Sequence, residues 1–319
     1  MLRSEFDQWF ANKAVEAGAT LVSNIRVEDL LWKEKKVAGI VAGEDKIEAN
    51  VVIAADGAVS FMSEKAGLKR FYVKQFALGM KEIIELPEKT IEDRFNLTNG
   101  AGAAQLFVGQ CTKKIPGGGF IYTNRTSLSV GIVVYIDRLI EKKIDSHEII
   151  SEFNENPVVA ELIKGGKILE YSAHVIPETS RSKLFRDGML VVGDAGGLVV
   201  NNGITLRGMD MAIASGAAAA EAVKKAMEKN DFSNECLSHY EDLLKKDFVL
   251  KDIDTFSRAP EFLQNHRLYA LYPEIACRLF HNLTAVDGAK KRVFDEILKV
   301  TKGNRTKMIL DSIRGLRAL

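Results

Sequence analysis

Only three cysteines occur in the 319 residues, Cys111, Cys236 and Cys277, and no two of them form a C-x-x-C pair. Such spacing builds neither a zinc site nor an iron–sulfur cluster, so the thiols read as structural and any cluster must sit on a partner. Long apolar runs are also missing. Met189–Val200 and Met211–Val223 are broken by Gly, Asp or Ser and fall short of the roughly 20 residues a membrane-spanning helix needs. The opening MLRSEFDQWF carries two acidic side chains and no uninterrupted apolar region, which argues against a secretory leader and makes the cytoplasm the expected compartment. An excess of one charge sign is lacking as well: 44 Lys and Arg against 43 Asp and Glu leave +1, without the basic field that nucleic-acid binding uses. Five histidines, His147, His174, His239, His266 and His281, show no ligand or triad spacing, so neither a metal site nor a catalytic side chain is expected.

What is present is core material. With 46% hydrophobic residues the chain is long enough for two intimately joined lobes. Phe6, Trp9, Phe10 and Ala14 recur at helical spacing before Gly18, predicting a helix over Ser4–Ala17. From Thr20 to Ala55 short β-rich runs predict a small antiparallel meander feeding a buried strand, Val51–Ala55. Between Phe71 and Lys183 the runs FALGMKEIIEL, AAQLFVGQ, GGFIYTN and SLSVGIVVYI, one polar helix near His147–Asn154 and a closing strand at Ile168–His174 read as an inserted sheet lobe. An α/β pattern returns at Gly188 with MLVVGD, a glycine turn and a helix over Met209–Met227. The residues beyond about 230 read as helical and aromatic-rich. The expected division is therefore 1–70 and 184–229 for a discontinuous nucleotide domain, 71–183 for the sheet lobe and 230–319 for a helical region.

The most informative stretch is LVVGDAGGLVVNNGITLRGMDMAIASGAAAAEAV, Leu190 to Val223. A carboxylate at the end of a buried strand, Asp194, suits a ribose hydroxyl, and Gly196 and Gly197 let backbone approach a pyrophosphate. The following helix would aim its positive N-terminal end at negative charge, with Gly203, Arg207 and Gly208 nearest. The bland reading is a strand and a small-residue helix that merely pack closely. Asp56–Gly57, taken alone, equally fits an ordinary turn. Pro116-Gly117-Gly118-Gly119 reads either as a flexible hairpin approach or as a loop facing a flavin or substrate. The stretch RAPEFLQNHRLYALYPEIACRLFHNL is either core or a face for a membrane or quinone tail.

Four segments together resemble the FixC type of electron-transfer-flavoprotein:quinone oxidoreductases, within the wider geranylgeranyl reductase group of FAD-dependent oxidoreductases. They are GDAGG followed by NNGITLRGMDMAIASG, the turn in VVIAADGAVSFMSEKAGL, the lobe segment FNLTNGAGAAQLFVGQCTKKIPGGGFIYTNRTSLSVGIVV, and the opening helix MLRSEFDQWFANKAVEAGA. The resemblance implies an α/β fold: a partial, discontinuous FAD-binding Rossmann-like domain with an inserted antiparallel sheet lobe and a helical C-terminal region. It implies FAD as cofactor and a binding set of Arg3, Asp56, Gly57, Gly193, Asp194, Gly196, Gly197, Asn202, Gly203, Arg207 and Gly208. Arg3 otherwise reads as a solvated charge, so its role rests on the resemblance alone. Arg207 and the helix dipole would favour the reduced flavin. Implied partners are a ferredoxin-like FixX-type subunit and a FixA/FixB-type electron-transfer flavoprotein, with a quinone as acceptor; peripheral contact at the inner face of the membrane rests on the second reading of the aromatic stretch. The family pattern opens with a strand and G-x-G-x-x-G, for which Gly100-Ala-Gly102-Ala-Ala-Gln105 is no substitute, because it lacks the third glycine and follows a polar turn. Two alternatives stay open: an isoprenoid reductase on the same scaffold, and a non-catalytic or split flavoprotein that needs a first dinucleotide-binding unit supplied in trans.

Overall fold

The computed structural model describes residues 2–68, 71–179, 183–286 and 288–319. Helix α1 (Arg3–Glu16) buries none of its residues; Phe6, Trp9 and Phe10 instead stack on one another, with Phe6 and Phe10 at 5.5 Å. The meander follows as β1 (Asp29–Lys33), β2 (Lys36–Ala42) and β3 (Asp45–Glu48), paired antiparallel in that order. The strand expected from Thr20 forms only from Asp29. Leu21, Val22 and Ile25 stay exposed and Asn24 turns the chain at φ 60°, so these β-prone residues have no described neighbour strand to pair with.

β4 (Val52–Ala54) and α2 (Phe61–Lys65) lead into the sheet lobe. In chain order this contains β5 (Phe76–Glu85), α3 (Glu88–Phe95), β6 (Ala104–Phe107), β7 (Gly117–Thr123), β8 (Ser127–Tyr135), α4 (Ile136–Lys142), α5 (Ser146–Glu155), α6 (Pro157–Ile163) and β9 (Lys167–Pro177). The five strands lie in the order β6-β7-β8-β5-β9, each neighbour antiparallel. The polar helix expected near His147 is α5. Three further helices were not legible, because α3, α4 and α6 are too short to show more than one apolar turn. Ile91, Leu139, Ile149, Phe153 and Val159 from the four helices share one core with Met80, Ile121, Val130 and Ile132 of the sheet.

The glycine tract is neither a flexible approach nor a loop. Gly117, Gly118 and Gly119 form the first half of β7, where a Cβ on Gly117 would stand 2.2 Å from the Val133 carbonyl oxygen. Gly117 also has φ 148°, a conformation that side chains disfavour.

The chain then returns as β10 (Phe185–Arg186), β11 (Met189–Val191), a 3₁₀ turn at Gly193–Gly196, β12 (Val200–Asn201), β13 (Leu206–Arg207) and the long helix α7 (Met209–Lys229). β11 pairs parallel with β4, matching Met189, Leu190 and Val191 to Val52, Ile53 and Ala54, and β10 covers its other edge. On one face Leu190 and Val192 pack on the small-residue stripe of α7, including Ala219, Ala222 and Ala226. On the other, Met189, Val191 and Ala54 pack on Leu30 and Val37 of the meander, Met62 of α2 and Ala66 just after it.

Among the described residues that follow are the α-helices α8 (Asn234–Leu237), α9 (His239–Lys246), α10 (Phe248–Thr255), α11 (Ala259–Leu263), α12 (Leu271–Thr284), α13 (Val293–Val300) and α14 (Arg305–Ala318). Ala259, Leu263, Tyr269 and Ile275 of the aromatic stretch are buried, while Phe280 is exposed. Arg267 anchors α14 through a bidentate pair with the buried Asp311, at 2.7 and 2.8 Å, and holds that carboxyl below its usual range. Among the described residues no helix is long and apolar enough to cross a membrane, no disulfide links the cysteines, and no three metal-ligating side chains cluster.

Gly117 carries the expected cost of this packing. Gly117→Ala should lower the stability of the fold by roughly 2–4 kcal/mol, combining backbone strain with overpacking against Val133. The denaturant midpoint measures it, and an unchanged midpoint contradicts the assignment.

Candidate functional site

Because β4 and β11 run side by side in the same direction, the turns that follow them leave from one edge of the sheet. Asp56–Gly57 follows β4 and Gly193–Gly197 follows β11. In open α/β sheets this carboxyl edge is where ligands settle.

Each turn is fixed by its own hydrogen bonds. The Asp56 carboxylate accepts from the Ser60 hydroxyl at 2.5 Å and from the Met62 N–H at 3.0 Å, so it serves the start of α2. Beside it Gly57 has φ 80°, and a Cβ there would meet nothing within 4 Å; the turn borders open space. In the second turn the Gly193 N–H donates to Ser215 Oγ of α7 at 3.0 Å, and the Gly197 N–H to the Asp194 carbonyl at 2.9 Å. A Cβ on Gly196 would press on Leu184, at 2.9 Å, so this glycine answers a packing demand.

Asp194 is where separate parts of the chain converge. Its Oδ2 lies 3.0 Å from His174 Nε2 on β9, and its Oδ1 faces Gly208 at the start of α7. Arg3 stands in the field of the same carboxylate, although its guanidinium is held protonated chiefly by Asp7, at 2.7 and 2.8 Å. His174 was not singled out by its sequence, since a lone histidine in a strand carries no spacing signal.

The hairpin β12–β13 shapes the approach to α7. Asn202 Oδ1 accepts from the N–H groups of Ile204 and Thr205, at 3.0 and 2.7 Å, closing the turn in which Gly203 sits at φ 83°. Arg207 is engaged by two carboxylates: Asp210 at 2.8 and 2.5 Å and Asp252 of α10 at 2.6 Å, with the Phe248 ring beneath it. Its positive charge is therefore met locally. The N-terminus of α7 has no side-chain cap, so its first N–H groups and positive dipole end remain available to an anion.

The structure also exposes a buried carboxyl that the sequence did not flag. Glu178, 6% exposed, follows β9 and accepts from Tyr135 Oη at 3.2 Å and from Asn201 Nδ2 at 3.2 Å to both oxygens. Burial pushes its pKa up to about 7, opposed by those two hydrogen bonds. The folded chain thus binds this proton more tightly than the unfolded chain, whose glutamate titrates near 4.5. The stability from this group is full below about pH 4.5 and is lost as pH rises towards 7. Glu178→Gln should remove that loss, a difference of roughly 3 kcal/mol in the pH dependence of unfolding between the two proteins. Urea titrations at pH 4.5 and 8 measure it; parallel pH profiles would contradict the burial argument.

A family model for "ETF-QO, ubiquinone-binding" matches residues 76–176, which is the sheet lobe, and one for the "ETF-QO/FixC family C-terminal domain" matches residues 259–319. Protein FixC of Salmonella typhi is 42% identical over 328 aligned residues, covering 100% of this chain and 76% of that protein. The probable electron transfer flavoprotein-quinone oxidoreductase YdiS of Escherichia coli K12 is 37% identical over the same shares. Among solved structures, a geranylgeranyl bacteriochlorophyll reductase-like protein from Thermoplasma acidophilum superposes with a TM-score of 0.70 at 22% identity, covering 98% of this chain and 75% of that one. With identity of this order to FixC over the whole of this chain and matches in both the lobe and the C-terminal helices, the chain belongs to the FixC/ETF-QO family.

Proposed function

We propose that the chain is an FAD-dependent oxidoreductase that passes electrons from an electron-transfer flavoprotein to a quinone or similar acceptor. The observation that carries this reading is the meeting of the Asp56 and Asp194 turns at one edge of a parallel strand pair. Membership of the FixC/ETF-QO family supplies the reaction class.

The residues present suit a dinucleotide flavin. Asp194 Oδ1 is oriented towards the α7 terminus and can accept from a sugar or ribitol hydroxyl. Open space beside Gly57 admits a phosphate to the backbone, and the uncapped α7 N-terminus suits a ring edge that gains negative charge. Arg3 adds a cation on the Asp194 side. Arg207, clamped by Asp210 and Asp252, acts by fixing the hairpin and the first turn of α7. FAD, when bound, supplies the electron chemistry; the protein's residues position it and tune its charge preference. No side-chain acid or base is required of this set. In this reading a ferredoxin-like FixX-type subunit and a FixA/FixB-type flavoprotein are the electron partners, which accords with three scattered cysteines in this chain.

The test is the absorption spectrum of the purified chain after incubation with FAD and desalting. Bound flavin near one equivalent is expected, and Asp194→Ala should weaken retention roughly 10- to 100-fold, the effect of losing one charge-assisted hydrogen bond. A wild-type chain that stays colourless, while its circular dichroism is that of a folded protein, overturns the proposal.

A further inference from the structure

Glu178 stands at a junction of three parts of the molecule. It follows the last strand of the sheet lobe, and its main-chain N–H donates to the Gln75 carbonyl at 2.8 Å. Tyr135, at the end of β8, reaches it from the lobe, and Asn201 reaches it from the β12–β13 hairpin. The contact continues beyond Asn201, whose Oδ1 accepts the Gly203 N–H at 3.0 Å. Three links therefore join the carboxyl to the turn that precedes α7: carboxylate to Asn201 amide, Asn201 carbonyl to Gly203 N–H, and Gly203 to the hairpin that ends at Arg207.

The carboxyl also borders a way out. A cleft of about 90 Å³ is lined by Glu178 together with Thr179, Asn201, Ile253, Phe256 and Ser257, room for roughly three waters at the volume each occupies in the liquid. Among the described residues, the titratable groups facing Glu178 are Tyr135 from β8 and Tyr269 from the segment before α12, both pushed upward and therefore neutral, with Asp137 of α4 acting on Tyr135. The hairpin contributes only the neutral Asn201, and the α10–α11 side contributes Ile253, Phe256, Ser257 and Pro260, none of them charged. Among the described residues no cation pairs with this carboxylate. Among the described residues this buried carboxylate has no counter-ion; hydrogen-bonded by neutral donors and bordering a small cleft of mixed polar and apolar lining, it is a group that changes its proton rather than keeps its charge.

We propose that Glu178 is the proton-exchanging group of the redox site: it takes a proton from cleft water when negative charge is added beyond the hairpin, and returns it when that charge leaves. One proton passes from hydronium in the cleft to a Glu178 carboxylate oxygen, leaving water, and the reverse step restores the carboxylate; no electron passes through the residue. The coupling follows from linkage, since added negative charge near the Asn201–Gly203 turn disfavours the ionised carboxylate. This inference rests on the cofactor reading above.

The test is carbon-13 NMR of chain labelled at its glutamate carboxyl carbons, in wild type and Glu178→Gln. In the chain without added cofactor, one carboxyl resonance should titrate with a midpoint near neutrality and be missing from the variant; titration of every resonance in the ordinary glutamate range overturns the proposal. After loading with FAD and reduction by dithionite, the midpoint of that resonance should move upward, with proton uptake at pH 7.5 that Glu178→Gln diminishes. A yellow chain whose midpoint does not move on reduction overturns the coupling alone. A colourless chain overturns the cofactor reading and the coupling with it, while the first titration still decides whether Glu178 exchanges its proton near neutrality.

Discussion

Everything that makes a site in this molecule depends on the parallel pairing of β4 with β11. It comprises three matched residue pairs joining segments more than a hundred residues apart in the chain. A pair this short is not stable alone. Two apolar layers hold it: the meander and α2 cover Met189, Val191 and Ala54, and α7 with the helices beyond it covers Leu190 and Val192. β11 is buried on both faces, whereas β4 leaves Ile53 exposed; all six positions of the pair are apolar, so the chemistry is displaced to the turns at its end. Asp56 and Asp194 are the first charged residues after their strands, and both belong to such turns.

The electrostatics of that edge follow from which charges are already satisfied. Arg207 faces two carboxylates, so it works as a clamp between the hairpin, the first turn of α7 and α10. Arg3 is shared between Asp7 and the field of Asp194. Among the described residues no side chain caps the N-terminal end of α7, a helix of 21 residues, whose dipole is equivalent to about half a positive charge at that end. It is a backbone feature, fixed in place by the Gly193 N–H bonded to Ser215. A site tuned by backbone dipoles rather than mobile cations keeps its geometry when the charge of its ligand changes.

Much of this was legible in the sequence, and for identifiable reasons. The strand–turn–helix segment Leu190–Val223 declared itself through residue order, because a buried run, an acidic end, paired glycines and a small-residue helix each have a separate physical cause. The strands of the lobe were legible through β-branched runs and turn residues. The misreadings have a common origin in pairing and packing that a local window does not contain. Thr20–Glu28 has β-prone residues without a described partner strand. Gly117–Gly119 looks like a loop, yet its glycines answer the backbone of β8 and the ring of Phe153. His174 and Glu178 gain their settings from residues 20 to 43 positions away along the chain, at Asp194, Asn201 and Tyr135. Arg207, just before α7, reads in sequence as a charge near the ligand; Asp252, which meets it from α10, lies 45 positions further on.

The C-terminal helices take part in the same arrangement, and their contacts explain why they cannot be treated as an appendage. Tyr240, fully buried, donates its hydroxyl to the Val191 carbonyl at 3.0 Å, so α9 satisfies the backbone of the strand that carries Asp194. Asp252 of α10 holds Arg207, and Tyr269, ahead of α12, faces Glu178. Leu237, Tyr240, Leu244 and Val249 share one apolar cluster with Leu190 and Met211. Removing these side chains would uncover one face of the β10-β11-β4 sheet and leave the Val191 carbonyl without its buried donor, a cost of about 1–3 kcal/mol before any loss of apolar burial. The helical region is therefore one wall of the site: the strand that presents Asp194, the clamp on Arg207 and the surroundings of Glu178 all lean on it, so order in the C-terminal helices and geometry at the sheet edge are coupled through shared core rather than through any single contact.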